Sequence, residues 1–282
     1  MTLFASQRIL DRVERLELPF NRYGLDPYGV SKEHLATFYT ALGWLYERYF
    51  DVRTYGVDNV PPRGRVMLVG NHSGGVALDG AMVIASLFFE MEPPRLAQGM
   101  AEYFLNKWPI ASQWTSRLGH LTGLPEHATR LLEDDRMLMI FPEGARGTAK
   151  LYHERNSLVR FGTGFVRLAL ETNTPIVPFA FVGGGEAIPT VYNSEFLGKL
   201  TGAPYVPFTP YLLPLPRPVD LQIYYGAPIV LEGTGSEEDE VINHYVDRVK
   251  RQIGALIDFG AERRRLGNLD APDRLPIVED DA

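Results

Sequence analysis

Arg65-Val-Met-Leu-Val-Gly70 runs directly into Asn71-His-Ser-Gly-Gly-Val-Ala-Leu-Asp-Gly80. The first part is short and uniformly apolar, without polar alternation. That pattern suits a strand buried on both faces, as in a parallel sheet. It stops at a histidine and two glycines, and a helix is predicted from Asp79 to Phe89. The arrangement recurs: Arg136-Met-Leu-Met-Ile-Phe141 is a second buried strand, followed by Pro142-Glu-Gly-Ala-Arg-Gly147. Pro175 to Val182 reads as a third strand, with Pro175 tolerated as its first residue. Val219 to Tyr225 alternates and makes a fourth. Between and after them lie predicted helices over Leu158 to Thr172 and Glu237 to Phe259. The second carries Ile242, Tyr245, Val249, Ile253 and Leu256 on its inner side. Strands alternating with helices imply an α/β domain, a mostly parallel central sheet flanked by helices.

Working outward, Ser6 to Leu16 is a short amphipathic helix. Ser31 is placed as the N-cap of a longer one reaching about Phe50. Leu35, Phe38, Leu42, Leu45 and Tyr49 form its stripe, with Tyr39, Trp44 and Tyr46 beside it. This helix packs on the domain or lies in a membrane interface, where Trp and Tyr rings settle at headgroup depth. The organisation expected is an N-terminal helical segment over 1–54, the α/β domain over 55–260 and a charged, loosely held tail over 261–282. Pro204 to Pro218 is rich in proline and aromatics and reads as a surface excursion.

At 282 residues, 45% hydrophobic and 22% charged, the chain is an ordinary globular protein with ample material for a core. Lys and Arg number 28 against 35 Asp and Glu, a net charge of −7. That argues against a nucleic-acid partner. The absence of cysteine excludes disulfides, thiolate metal sites and a cysteine nucleophile, and neither a metal nor a cofactor is expected. No apolar run approaches the ~20 residues of a membrane span. The N-terminus also lacks the apolar core of a signal peptide. A cytoplasmic protein, peripheral at a membrane surface, is the expectation.

Ligands of such sheets bind at the carboxyl ends of the strands. A carboxylate folded back onto His72 would fix its tautomer and leave the second ring nitrogen as a base. Read alone, Asp79 serves equally well as a helix N-cap, and Phe-Pro-Glu-Gly as a turn with a capping glutamate. Lys150, His153, Glu154 and Arg155 read as surface residues of the following loop, and His120, His127 and His244 as ordinary surface or helix positions. Ser73 is no serine-hydrolase nucleophile, because Asn71 breaks the Gly-x-Ser-x-Gly pattern.

Taken together and in order, these blocks resemble the glycerolipid acyltransferase superfamily. The blocks are Asn71-His72 to Asp79; Ala101-Glu102-Tyr103-Phe104 with Trp108-Pro109-Ile110 and Gly119; Phe141 to Arg146; and Pro175 to Phe179, echoed by Gly226-Ala227-Pro228-Ile229. The likeness covers roughly residues 55 to 231. Two features depart from the family. Six residues separate His72 from Asp79 where the family has four, with Gly74 and Gly75 absorbing the extra length. Glu102 stands near the position of the family's lysine and Leu121-Thr122-Gly123 where its arginine is expected, so only Arg146 clearly survives for a phosphate.

The resemblance implies acyl transfer from a thioester, acyl-CoA or acyl carrier protein, to a hydroxyl of a lipid acceptor: a lysophospholipid, a glycerol phosphate or a neutral acylglycerol. His72 would be the general base and Asp79 its orienter. Backbone N–H groups of Ser73, Gly74, Gly75 or Gly144 would hold the oxyanion. Glu143 would hold acceptor hydroxyls, and Arg146 a phosphate or carboxylate. A silent lipid-binding protein on the same fold and an acyl-thioester hydrolase are the competing readings.

Overall fold

The computed structural model describes residues 5–73, 78–101 and 114–278. Its centre is a seven-stranded sheet in the order β1-β9-β6-β2-β5-β3-β4. The strands are β1 (Arg53–Tyr55), β2 (Val66–Gly70), β3 (Ala97–Ala101), β4 (Leu121–Thr122), β5 (Met137–Ile140), β6 (Ile176–Val182) and β9 (Gln222–Tyr225). All neighbours run parallel except β6 and β9, which are antiparallel. A separate two-stranded ribbon joins β7 (Tyr192–Ser194) to β8 (Val206–Phe208).

The apolar runs read from the sequence are the middle of this sheet. In β2, Val66 and Leu68 point into one core while Met67 and Val69 point into the other. All four are fully buried, which is why the run shows no polar alternation. At ~1.5–3 kcal/mol for each fully buried side chain of this kind, β2 contributes heavily to both layers. One core is closed by α1 (Gln7–Glu14), α2 (Lys32–Trp44) and α3 (Leu78–Glu90). The other is closed by α4 (Pro125–Glu133), α6 (Gly164–Glu171) and α9 (Asp239–Arg265), with short helices α5 (Ala145–Thr148), α7 (Gly184–Ala187) and α8 (Glu195–Thr201) in the loops.

The N-terminal helices are part of the domain's packing. Ile9, Val13, Leu35, Leu42 and Tyr46 are buried in the same core as α3. Tyr39 stacks on Phe88 of α3 with ring centres 3.6 Å apart and planes within 8°. Ser31 caps α2, its hydroxyl accepting from the His34 N–H, and a π-helical turn over Leu45–Tyr49 continues the helix.

Two expectations are corrected. The helix foreseen from Leu158 begins only at Gly164. The Val159 N–H donates to Glu143 and the Gly162 N–H to the Pro142 carbonyl, so these groups bind across the loop instead of up a helix. The last helix continues past Phe259 to Arg265, and the tail beyond it is strapped down. The Leu269 carbonyl accepts from Arg53 (3.1 Å) and Tyr55 (2.7 Å), and Gln252 bonds to the backbone of both Pro276 and Val278. The sheet is mostly parallel as expected, with β9 antiparallel to β6 and parallel to β1. No helix among the described residues is long and apolar enough to cross a membrane.

Candidate active site

β2 and β5 lie side by side in parallel register, with Val69 opposite Ile140, so the segments leaving their carboxyl ends meet. Gly70 ends β2 where a Cβ would stand 2.3 Å from the Phe179 ring. Asn71 then continues the sheet with its side chain. Its amide donates to the Phe181 carbonyl (2.9 Å) and accepts from the Phe181 N–H (2.8 Å). This two-way bond holds the chain so that His72 leaves the sheet edge at a fixed point.

His72 is gripped on several sides. Its Nδ1 lies 2.6 Å from Oδ2 of Asp79, a carboxylate with no exposed surface in the first turn of α3. The same oxygen accepts from the Ser73 N–H (2.6 Å), and Oδ1 accepts from the Gly80 N–H (2.7 Å). A carboxylate that only accepts assigns the proton to Nδ1 and leaves the lone pair on Nε2. The ring lies flat on Phe141, centres 4.1 Å apart and planes at 12°. Behind it is Gly147, where a Cβ would come within 2.6 Å of the His72 Cβ and 2.8 Å of the Glu143 Cβ. Asp79, packed between α3 and the sheet edge, therefore bridges to the histidine across six intervening residues.

The turn after β5 is closed by the Gly144 N–H donating to the Phe141 carbonyl at 3.0 Å. Gly144 has φ of +57° and ψ of −152°, a conformation open to glycine and strained for other residues. The turn delivers Glu143 inward. Its carboxylate is buried and accepts from the His72 N–H (2.9 Å), the Val159 N–H (2.9 Å) and the Lys150 ammonium (3.1 and 3.0 Å).

The expected substrate-binding set is thereby redistributed. Glu143 has its oxygens occupied by internal donors rather than turned to a ligand. The Ser73 and Gly144 N–H groups, foreseen as oxyanion donors, are committed to Asp79 and Phe141. Gly74, Gly75 and Glu102 lie outside the described residues. Arg146 is exposed on the outer side of α5, its guanidinium 3.3 Å from the Arg160 carbonyl.

Of the residues read as surface positions, Lys150 is interior and His120 half-buried. Lys150 is buried, and no periodic pattern marked it, because it sits in an irregular loop seven residues after its partner. His120 lies against β3, where its Nδ1 accepts from the Gly99 N–H at 3.1 Å. Burial holds the His120 imidazole below its usual range. A cleft of about 590 Å³ lined by Arg63, Arg95 and Arg136 opens at the opposite, amino-terminal edge of the sheet.

Comparison with known proteins bears on the family and the fold. The family model described as Acyltransferase matches residues 51–182. An uncharacterized protein of Mycobacterium tuberculosis (H37Rv) is 32% identical over 244 residues, spanning 83% of this chain and 67% of that one. A chicken (Gallus gallus) protein named DGAT1/2-independent enzyme synthesizing storage lipids is 24% identical over 204 residues, 72% of this chain and 58% of its own length. The crystal structure of the 1-acyl-sn-glycerophosphate acyltransferase PlsC from Thermotoga maritima superposes with a TM-score of 0.50 at 20% identity. That likeness covers 77% of this chain and 76% of the other and concerns the fold. The ordered motifs, the sheet edge they build and the matching family model together place the chain in the glycerolipid acyltransferase superfamily, and it is an acyltransferase.

Proposed function

We propose that the chain transfers a fatty acyl group from acyl-CoA or acyl carrier protein to a hydroxyl of a lipid acceptor, with His72 as general base. The observation carrying this reading is the 2.6 Å contact between His72 Nδ1 and a fully buried Asp79. Nε2 takes the proton as the acceptor oxygen attacks the thioester carbonyl. The new C–O bond forms, the tetrahedral oxyanion collapses, the C–S bond breaks, and the imidazolium returns the proton to the leaving thiolate. Asp79 orients the ring and stabilises its charged form. Of the backbone donors expected for the oxyanion, the Ser73 and Gly144 N–H groups are engaged, and Gly74 and Gly75 lie outside the described residues. An oxyanion donor is worth roughly 2.7–4 kcal/mol.

Arg146 is the acceptor's anion contact when a phosphate is present, its planar fork suited to two-point binding. The residues standing for the family's other phosphate-binding lysine and arginine are Glu102 and Leu121 to Gly123. A neutral acylglycerol is therefore the acceptor this site favours over a phosphorylated one.

The site works against a membrane surface. Val191, Tyr192, Phe196, Leu200, Leu212 and Leu213 project from the 190–217 excursion with half or more of their surface exposed. From Pro189 to Pro216 the only charges are Glu195 and Lys199. The excursion is fastened to the catalytic turn: Asn193 donates to the Ala149 carbonyl (2.6 Å), and Tyr205 bonds to Thr148. Trp44 joins this face through Tyr49, whose hydroxyl donates to the Pro216 carbonyl at 2.8 Å. Such an uncharged apolar face, beside a site for lipid acceptors, suits bilayer docking.

Purified protein incubated with long-chain acyl-CoA and a panel of lysophospholipids, glycerol 3-phosphate, mono- and diacylglycerol tests the reading. New ester with free CoA supports it. Free fatty acid alone identifies a hydrolase, and no turnover with retained lipid binding identifies a silent carrier.

A further inference from the structure

Three consecutive residues at the end of β2 are tied to three different elements: Asn71 to β6, Ser73 to the start of α3, and His72, through its N–H, to Glu143. The first two anchors are self-contained. The third is a carboxylate with no exposed surface of its own. A buried ion needs a partner and a full set of hydrogen bonds. Lys150 supplies both. Its ammonium reaches both oxygens of Glu143, at 3.1 and 3.0 Å, and donates its third hydrogen to the Ser157 carbonyl at 2.8 Å. Glu143 in turn accepts from His72 on one oxygen and from Val159 on the other. The network is closed: three ammonium hydrogens used, and each carboxylate oxygen accepting twice.

We infer that Lys150 is a positioning residue for the reaction, acting through Glu143 to set the backbone of His72. The inference rests on the His72 general-base reading above. Removing the ammonium leaves a buried carboxylate that must either pull in water or take up a proton. Either way the carboxyl is no longer clamped at both oxygens by the ammonium, and its bonds to the His72 and Val159 N–H groups loosen. His72 then shifts on the Phe141 ring against Gly147, and Nε2 leaves the line of the acceptor hydroxyl. The same ammonium closes the 150–159 loop over the catalytic turn, so the displacement is local to the site. A misplacement near 1 Å costs on the order of 100-fold in rate.

The test compares wild type, Lys150→Met, the double variant Glu143→Gln/Lys150→Met and, as reference, His72→Ala. Each is assayed for ester formation and for the downfield imidazole Nδ1–H proton signal of the His72–Asp79 bond. Folded Lys150→Met is expected to lose about 100-fold in kcat with an unchanged KM for the acyl donor, and to shift or lose that signal. The double variant has no buried charge and keeps an amide oxygen to accept from the His72 N–H, while its NH2 replaces the oxygen that accepted from Val159. It is expected to recover most of the loss and the signal. A folded Lys150→Met with wild-type kcat and an unmoved signal overturns the inference. If Lys150→Met fails to fold, a folded double variant near wild-type activity supports the inference, and one as inactive as His72→Ala overturns it. If neither folds, the pair serves the fold rather than the histidine, which also overturns it. Retained activity in His72→Ala instead sinks the general-base reading itself.

Discussion

His72 and Gly147 share a contact that decides how much room the base has. A methyl group at position 147 would press on the Cβ atoms of both His72 and Glu143, at 2.6 and 2.8 Å. Overpacking of this kind costs ~1–3 kcal/mol, little enough for the fold to survive. Gly147→Ala is expected to keep a cooperative melt and lose about 100-fold in kcat, the cost of moving a base by near 1 Å. An unchanged kcat would show that the turn does not hold the ring. Arg146, exposed on the outer face of α5, should matter only to charged acceptors. Its replacement by alanine is expected to raise KM for a phosphorylated acceptor by roughly 10- to 100-fold, the worth of a charged hydrogen bond, and to leave a monoacylglycerol untouched. Equal losses with both acceptors would remove that role. The pairing of His72 with Asp79 was legible in the ordered motif blocks. Lys150 was not, because nothing in Gly147-Thr-Ala-Lys150 marks a buried cation, and only the folding of the 150–159 loop brings it to Glu143.

Among the elements, β2, β5 and β6 could be read because both their faces are buried, which leaves uninterrupted apolar runs. β1 and β4 are three and two residues long and carry no period. The 158–163 segment carries the poor helix formers Val159, Phe161, Gly162 and Thr163, and its N–H groups bind Glu143 and Pro142 instead of a helix. β3 carries a pH-dependent joint. The Gly99 N–H donates to His120 Nδ1, and burial holds that imidazole below its usual range. A protonated ring could not accept the bond. The unfolded chain takes the proton near pH ~6.5, before the folded one does. The stability contribution is therefore present above that pH and lost as the pH falls below it. His120→Gln is expected to show a smaller drop in melting temperature between pH 7.5 and 5.5 than wild type. An equal drop would mean that this histidine does not couple to the fold.

For the molecule as a whole, the N-terminal helices and the 190–217 excursion have different roles. Ile9, Val13, Leu35, Tyr39 and Leu42 belong to the core, so deleting residues 1–50 is expected to unfold the protein rather than merely free it from lipid. Phe196→Asp with Leu213→Asp should instead leave melting unchanged and weaken co-sedimentation with phosphatidylcholine vesicles. At a net charge of −7 and with only Glu195, Lys199 and, at its end, Arg217 charged in the excursion, docking is apolar, so 0.5 M salt is expected not to release the protein. Release by salt would point to a basic patch instead. The charge of the chain and, among the described residues, the lack of a long apolar helix could be read directly from the sequence, while the fastening of the excursion to the catalytic turn could not.

The most direct measurement is the rate of ester formation from acyl-CoA by His72→Ala beside wild type, both shown to be folded by their melting curves. A loss of about 10²- to 10⁴-fold, the usual worth of a positioned general base, is the predicted result. Undiminished turnover in the folded alanine variant would contradict the assignment of His72 as the base.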